Sequence, residues 1–218
     1  MNEYTVFIDE TKYDNSQAFC AILIDHNKLD DYREKIKEQR LILIDDPAYS
    51  APYTGEKNQK SLKKSFHATE MQPDTRFVFF NIIRYFEYEA FIYVYDDYSS
   101  VENIRNEFLR NLYKFLQQRH KESKIKFIWE KDKSQKISYP AEIPIIELAK
   151  EEDDLIAISD FVLFIFSRGY YKNYTSGNEY QMKQDKIFYE LIKEKLRFVK
   201  LSKEPQPYTH SNPLELWT

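Results

Sequence analysis

A mixed β-sheet covered by helices, an α/β domain, is what this 218-residue sequence predicts. Runs rich in β-branched and aromatic residues are interspersed with stretches of helical period along the whole chain. The first two such runs lie close enough to form a hairpin. The composition, 42% hydrophobic and 31% charged with 18 Tyr and 16 Phe, is that of a chain with a large core.

The opening run, Tyr4-Thr-Val-Phe-Ile-Asp9, is apolar on both faces, as a central strand must be. Thr5, Phe7 and Asp9 point one way, Val6, Ile8 and Glu10 the other. A polar stretch from Thr11 to Ser16 reads as a longish loop before a second strand, Ala18 to Ile24. Asp30 to Gln39 is polar and helical. Leu41-Ile-Leu-Ile44 fits a strand or a helix end equally well. Asp45 to Lys60 contains Pro47, Pro52 and Gly55 and reads as an excursion. Asp74 suits the N-cap of an amphipathic helix to about Glu87, with Phe77, Phe80, Ile83 and Phe86 on its apolar face.

Glu89 to Tyr95 is a strand ended by Asp96 and Asp97. Ser99 or Ser100 caps a long helix to about Lys121, with Ile104, Phe108, Leu112 and Phe115 at helical spacing. Lys124 to Trp129 and Ile143 to Leu148 are further strands. Asp154 to Arg168 reads as an almost wholly apolar helix, and the last helix as Glu179 to Arg197. The tail carries Pro205, Pro207 and Pro213 and is expected to be irregular.

Several functions are excluded by composition. Apolar runs such as Phe161 to Phe166 are short and the mean hydropathy is -0.68, so no membrane-spanning helix is expected. The N-terminus lacks the pattern of a secretory signal. The one cysteine, Cys20, precludes an internal disulfide and any multi-cysteine zinc site, and a reducing cytoplasm is the expected setting. A net charge of -4 excludes a globally basic nucleic-acid binder but not a segregated one. Three glycines cannot build a glycine-rich phosphate loop.

Carboxylates at strand ends are the most informative feature. Asp9 and Glu10, Asp96 and Asp97, and Glu130 and Asp132 each follow a strand. In α/β sheets ligands bind beyond strand ends, and clustered acids there suit a hard divalent cation. Asp160 lies within Leu155-Ile-Ala-Ile-Ser-Asp-Phe-Val-Leu-Phe-Ile-Phe, where a lone carboxylate needs a partner: a metal, an arginine, a hydroxyl or a backbone cap. His67 and Glu70, in Ser65-Phe-His-Ala-Thr-Glu70, would share a face on a helix and could shuttle a proton or ligate a metal.

Charge is segregated. Lys57, Lys60, Lys63 and Lys64 cluster within residues 55–67, and the helix from Val101 carries Arg105, Arg110, Lys114, Arg119 and Lys121. Residues 141–160 hold seven acids against a single lysine, Lys150. Basic side chains beside an acidic metal centre suit a phosphodiester. Lys63, Lys64 and Arg105 are the candidate phosphate contacts.

Together these motifs resemble the family known as domain of unknown function 3800. Val6-Phe-Ile-Asp-Glu-Thr11 is similar to its "F-I-D-E-S" opening, and Phe19-Cys-Ala-Ile-Leu-Ile24 to the hairpin strand that follows. Phe66-His67 resembles its "F-H" element and Ile156-Ala-Ile-Ser-Asp-Phe-Val162 its late helix. The resemblance runs over about residues 4–170. It implies a ribonuclease-H-like fold over residues 1–170, with residues 171–218 a helical extension packed on the same domain.

It also implies a divalent-metal-dependent nuclease using two Mg²⁺ or Mn²⁺ ions, with nucleic acid as the partner and no membrane. Asp9 would be the first-strand acid that bridges both ions, and Asp160 the late-helix acid. Glu130 fits the remaining ligand, ahead of Asp132 and Asp96, with His67 and perhaps Glu70 accessory. Thr11 and Lys12 stand where the family has Ser and Gly, and Ile158-Ser159 replaces its usual residues before the helix Asp. These departures keep a second expectation open: a catalytically inactive scaffold or partner-binding subunit of a bacterial defence or mobile-element system, with Tyr170, Tyr171 and Tyr174 as a contact surface.

Overall fold

A computed structural model describes residues 2–13, 16–51, 54–95, 100–131, 137–168 and 179–201. Six strands form one mixed sheet: β1 (Glu3–Tyr13), β2 (Ser16–Asp25), β3 (Glu89–Tyr95), β4 (Lys124–Glu130), β5 (Ile145–Leu148) and β6 (Leu196–Leu201). Their order is β5-β4-β1-β2-β3-β6. β1 pairs antiparallel with β2 and parallel with β4, so the first strand lies inside the sheet. The helices are α1 (Leu29–Asp45), α2 (Pro47–Ser50), α3 (Glu56–Lys63), α4 (Pro73–Ile83), α5 (Val101–Arg119), α6 (Ile156–Phe166) and α7 (Glu179–Ile192). Among the described residues, no helix is long and apolar enough to cross a membrane.

Strand alternation divides the core in two. Val6, Ile8, Phe19, Ala21, Phe127 and Trp129 pack on one face with Ile104, Phe108, Leu109 and Leu112 of α5. Phe7, Cys20, Ile22 and Ile128 face the other way, into a larger cluster with α1, α4, α6 and α7. α6 is apolar all round because it lies between the sheet and outer helices. Phe161 meets Phe79 of α4 edge-on at 4.3 Å, and Phe80 stacks on Phe188 of α7 at 3.9 Å. Phe161→Ala is expected to lower stability by about 3 kcal/mol by opening a cavity in that layer, read as a lower urea midpoint.

Several elements differ from the expectation. β1 and β2 stay paired out to Tyr13 and Ser16, so the polar stretch extends the hairpin rather than forming a long loop. Leu41 to Ile44 ends α1. The excursion after Asp45 contains α2 and the start of α3, with Gly55 at φ 92 as the N-cap of α3. Gln72, not Asp74, holds the N-cap position of α4, without a side-chain capping bond; Pro73 lies in the first turn, and the helix ends at Ile83. Ser100 caps α5 by accepting from the Asn103 amide at 3.3 Å.

The C-terminal segment is not purely helical. α7 stops at Ile192, and Leu196–Leu201 joins the sheet parallel to β3. Asp96, Asp97, Asp132, Tyr170, Tyr171, Tyr174 and the proline-bearing tail lie outside the described residues.

Candidate functional site

The alternation of β1 sends its two terminal acids to opposite faces. Asp9 turns toward α6, and Glu10 toward α5. There Glu10 accepts two bonds from Arg105, from Nε and Nη2, both at 2.9 Å. The Arg105 guanidinium also lies 5.7 Å over the Trp129 ring, and the residue is 4% exposed. Arg105, a candidate phosphate contact in the sequence, is thus buried against Glu10. Its five donors suit a planar bidentate pair, and burial makes that pair structural. Arg105→Ala strands Glu10, so a loss of about 2–3 kcal/mol is expected. Urea unfolding should show it, with partial recovery when Glu10→Gln is added.

On the other face, three chain segments deliver acids to one point. Asp9 comes from β1, Glu130 from the end of the adjacent parallel strand β4, and Asp160 from α6. The point they share is the ammonium of Lys150, in the segment between β5 and α6. Lys150 Nζ lies 3.3 Å from Asp9 Oδ2, 3.0 Å from Glu130 Oε2 and 3.1 Å from Asp160 Oδ2. His67 Nδ1 is 3.4 Å from the same nitrogen and 3.9 Å from Asp160 Oδ2.

Each member is held by its own neighbours. Asp9 Oδ1 accepts the Glu10 amide at 2.8 Å. Asp160 Oδ2 accepts the Ala68 amide at 3.0 Å, which ties the His67 segment to α6. Phe66 is fully buried and packs on Phe79 at 4.4 Å, so His67 sits between two anchored residues. The Lys150 segment is clamped from its acidic side. Arg33 of α1 donates to both oxygens of Asp153, at 3.2 and 2.7 Å. Arg40 donates to Asp154 at 2.5 Å and to the Lys64 carbonyl at 2.7 Å. Part of the acidic run in residues 141–160 is therefore a docking device for α1.

Electrostatics follow from burial. Desolvation pushes the Asp9 carboxyl well above the usual carboxylate range, Lys150 pulls it back, and Glu130 and Asp160 push it further up. Burial alone would lower the Lys150 ammonium, but the carboxylates of Asp160, Asp9 and Glu130 outweigh it and hold the amine protonated. Burial, and then the Lys150 charge, lower the imidazole of His67, with Asp160 opposing. His67 is thereby kept neutral beside a fixed cation.

These side chains border a cleft of about 690 Å³, a size suited to a small ligand or a few nucleotides. Lys60 and Lys64, one turn apart on the α3 side, line it with Lys131 and Thr11. Lys63 is exposed and does not line it. Glu70 lines the cleft too, but it follows His67 through a turn, in which the His67 carbonyl accepts the Glu70 amide at 3.2 Å, rather than along a helix face.

Sequence reasoning missed Lys150. The signal was its isolation: one lysine among seven acids, flanked by residues able to pin it.

Among the described residues, no group of three or more His, Cys, Asp or Glu side chains is arranged to hold a metal ion. The donor types nevertheless suit one, since Mg²⁺ takes carboxylate oxygens together with water or phosphate. Their geometry is set by an ammonium at the centre. Comparison with protein-family models, with curated proteins and with solved structures finds no match to this chain.

Proposed function

We propose that this chain is a divalent-metal-dependent nuclease of the ribonuclease-H-like class, cleaving a phosphodiester of RNA or DNA. The observation that carries the reading is the convergence of Asp9, Glu130 and Asp160 on one cation position beside an open, lysine-lined cleft. A first-strand acid, a later-strand acid and a late-helix acid are also what the resemblance to the domain of unknown function 3800 family implies.

Asp9, Glu130 and Asp160 would hold Mg²⁺ or Mn²⁺, whose chemistry is to activate water and to offset charge on the leaving oxygen. His67, neutral and with Nδ1 3.4 Å from the Lys150 ammonium and 3.9 Å from Asp160 Oδ2, would be the proton acceptor beside the acids. Lys60 and Lys64 would position the phosphate backbone. Lys60→Ala and Lys64→Ala should each weaken oligonucleotide binding and lower its salt slope by about one. Fluorescence anisotropy across a salt series reads this, with Lys63→Ala as the comparison.

End-labelled RNA and DNA, single- and double-stranded, incubated with Mg²⁺ or Mn²⁺ and with chelator, test the reading. Metal-dependent cleavage that Asp9→Asn abolishes supports it; no cleavage of any substrate rejects it.

One observation favours a second reading. The Lys150 ammonium already stands as a counter-charge among the three acids, so a cation other than a metal fills this point. In that reading the chain is a catalytically inactive scaffold or partner-binding subunit. The same assay separates the two.

A further inference from the structure

We infer that Lys150 is a tethered cation that competes with a divalent ion for the carboxylates of Asp9, Glu130 and Asp160. The inference rests on the metal-dependent reading above and names how that site would be regulated.

The geometry leaves no room for both cations. Nζ stands 3.0 to 3.3 Å from one oxygen of each acid. An ammonium has three donors and no acceptor, so three carboxylates satisfy it completely. Mg²⁺ binds such oxygens at about 2.0–2.1 Å. An ion among these same oxygens would lie against the ammonium, with like charges in contact. Lys150 must therefore leave before a divalent ion can enter. Its flexible four-carbon stem permits this, and the adjoining cleft gives the ammonium somewhere to go. A phosphate entering that cleft would offer the displaced ammonium a new partner. Metal and phosphodiester would then help one another bind, and the reciprocity is thermodynamic. Without a phosphodiester, the site stays closed on its own lysine.

Lys150→Met removes the charge and nearly preserves the length of the stem. Each carboxylate that the ammonium must leave holds it at about 3 Å, and one such pair of unit charges is worth about tenfold in affinity even at the dielectric constant of bulk water. Mn²⁺ titration followed by the electron paramagnetic resonance of the free ion should therefore show Lys150→Met binding at least about tenfold more tightly than the wild type. Equal affinities, or no binding by a Lys150→Met protein that circular dichroism shows to be folded, would overturn the inference.

The wild type supplies a second measurement should the variant fail to fold. The Nζ resonance of Lys150 in ¹⁵N-lysine-labelled protein should move or vanish on adding Mg²⁺ with an oligonucleotide. An unmoved Nζ resonance alongside shifted carboxyl resonances would overturn the inference. Failure of the nuclease reading looks different. Tight Mn²⁺ binding by Lys150→Met, with no cleavage by the wild type, rejects the nuclease and retains the competition. Cleavage with equal Mn²⁺ affinities does the reverse.

Discussion

Replacing Lys150 with methionine is expected to destabilise the fold by about 3–5 kcal/mol at neutral pH. The lysine is 5% exposed and bonded to three acids. Removing it leaves carboxylates from β1, β4 and α6 facing one another with no counter-charge, and leaves the His67 nitrogen without its neighbour. The urea midpoint should fall with the slope unchanged, since the same surface is exposed on unfolding. Adding Mn²⁺ should recover part of the loss, because an ion that binds only the folded chain stabilises it by mass action. A midpoint within experimental error of the wild type would mean that Lys150 does not hold the acids together.

Asp9→Asn is expected to do the opposite: cleavage falls by at least about 10²-fold, the scale of losing one electrostatic stabiliser, while stability holds or rises. Burial raises the Asp9 carboxyl more than Lys150 lowers it, so the charged form is held at a cost. The amide keeps an oxygen to accept the Glu10 amide and carries no charge to desolvate. A site residue whose removal stabilises the fold is the usual mark of function set against stability. Paired urea curves and cleavage rates measure both effects. A strongly destabilised Asp9→Asn protein would make Asp9 a structural residue.

The elements legible in the sequence were those with a clean local period. Glu89 to Tyr95 is a strand over the same residues in sequence and structure, because a run of β-branched and aromatic residues buried on both faces has no competing helical pattern. The alternation of β1 also foretold that Asp9 and Glu10 would part; the structure turns one toward α6 and the other toward α5. β6 was not legible. Leu196-Arg-Phe-Val-Lys-Leu201 continues the mixed pattern of α7, and its pairing with β3 depends on a partner about a hundred residues away. His67 and Glu70 share a turn rather than a helix face, because the anchors on either side, Phe66 and the Ala68 amide, are tertiary.

Within the site, the convergence of Asp9, Glu130 and Asp160 was an expectation of motif order. Lys150 was hidden by summing charge over residues 141–160, when the physical question was what one lysine does among seven acids. The burial of Arg105 was hidden for the converse reason. On the helix it looks like one of several surface cations, but its position opposite Glu10 makes it a buried partner.

The most direct test of the central claim is calorimetric titration of Mn²⁺ into the wild type and into Asp9→Asn, each with an oligonucleotide present to complete the coordination shell. The acid centre predicts binding to the wild type that the substitution abolishes. No binding to the wild type, or equal binding to both proteins, would contradict a metal centre built on Asp9, Glu130 and Asp160.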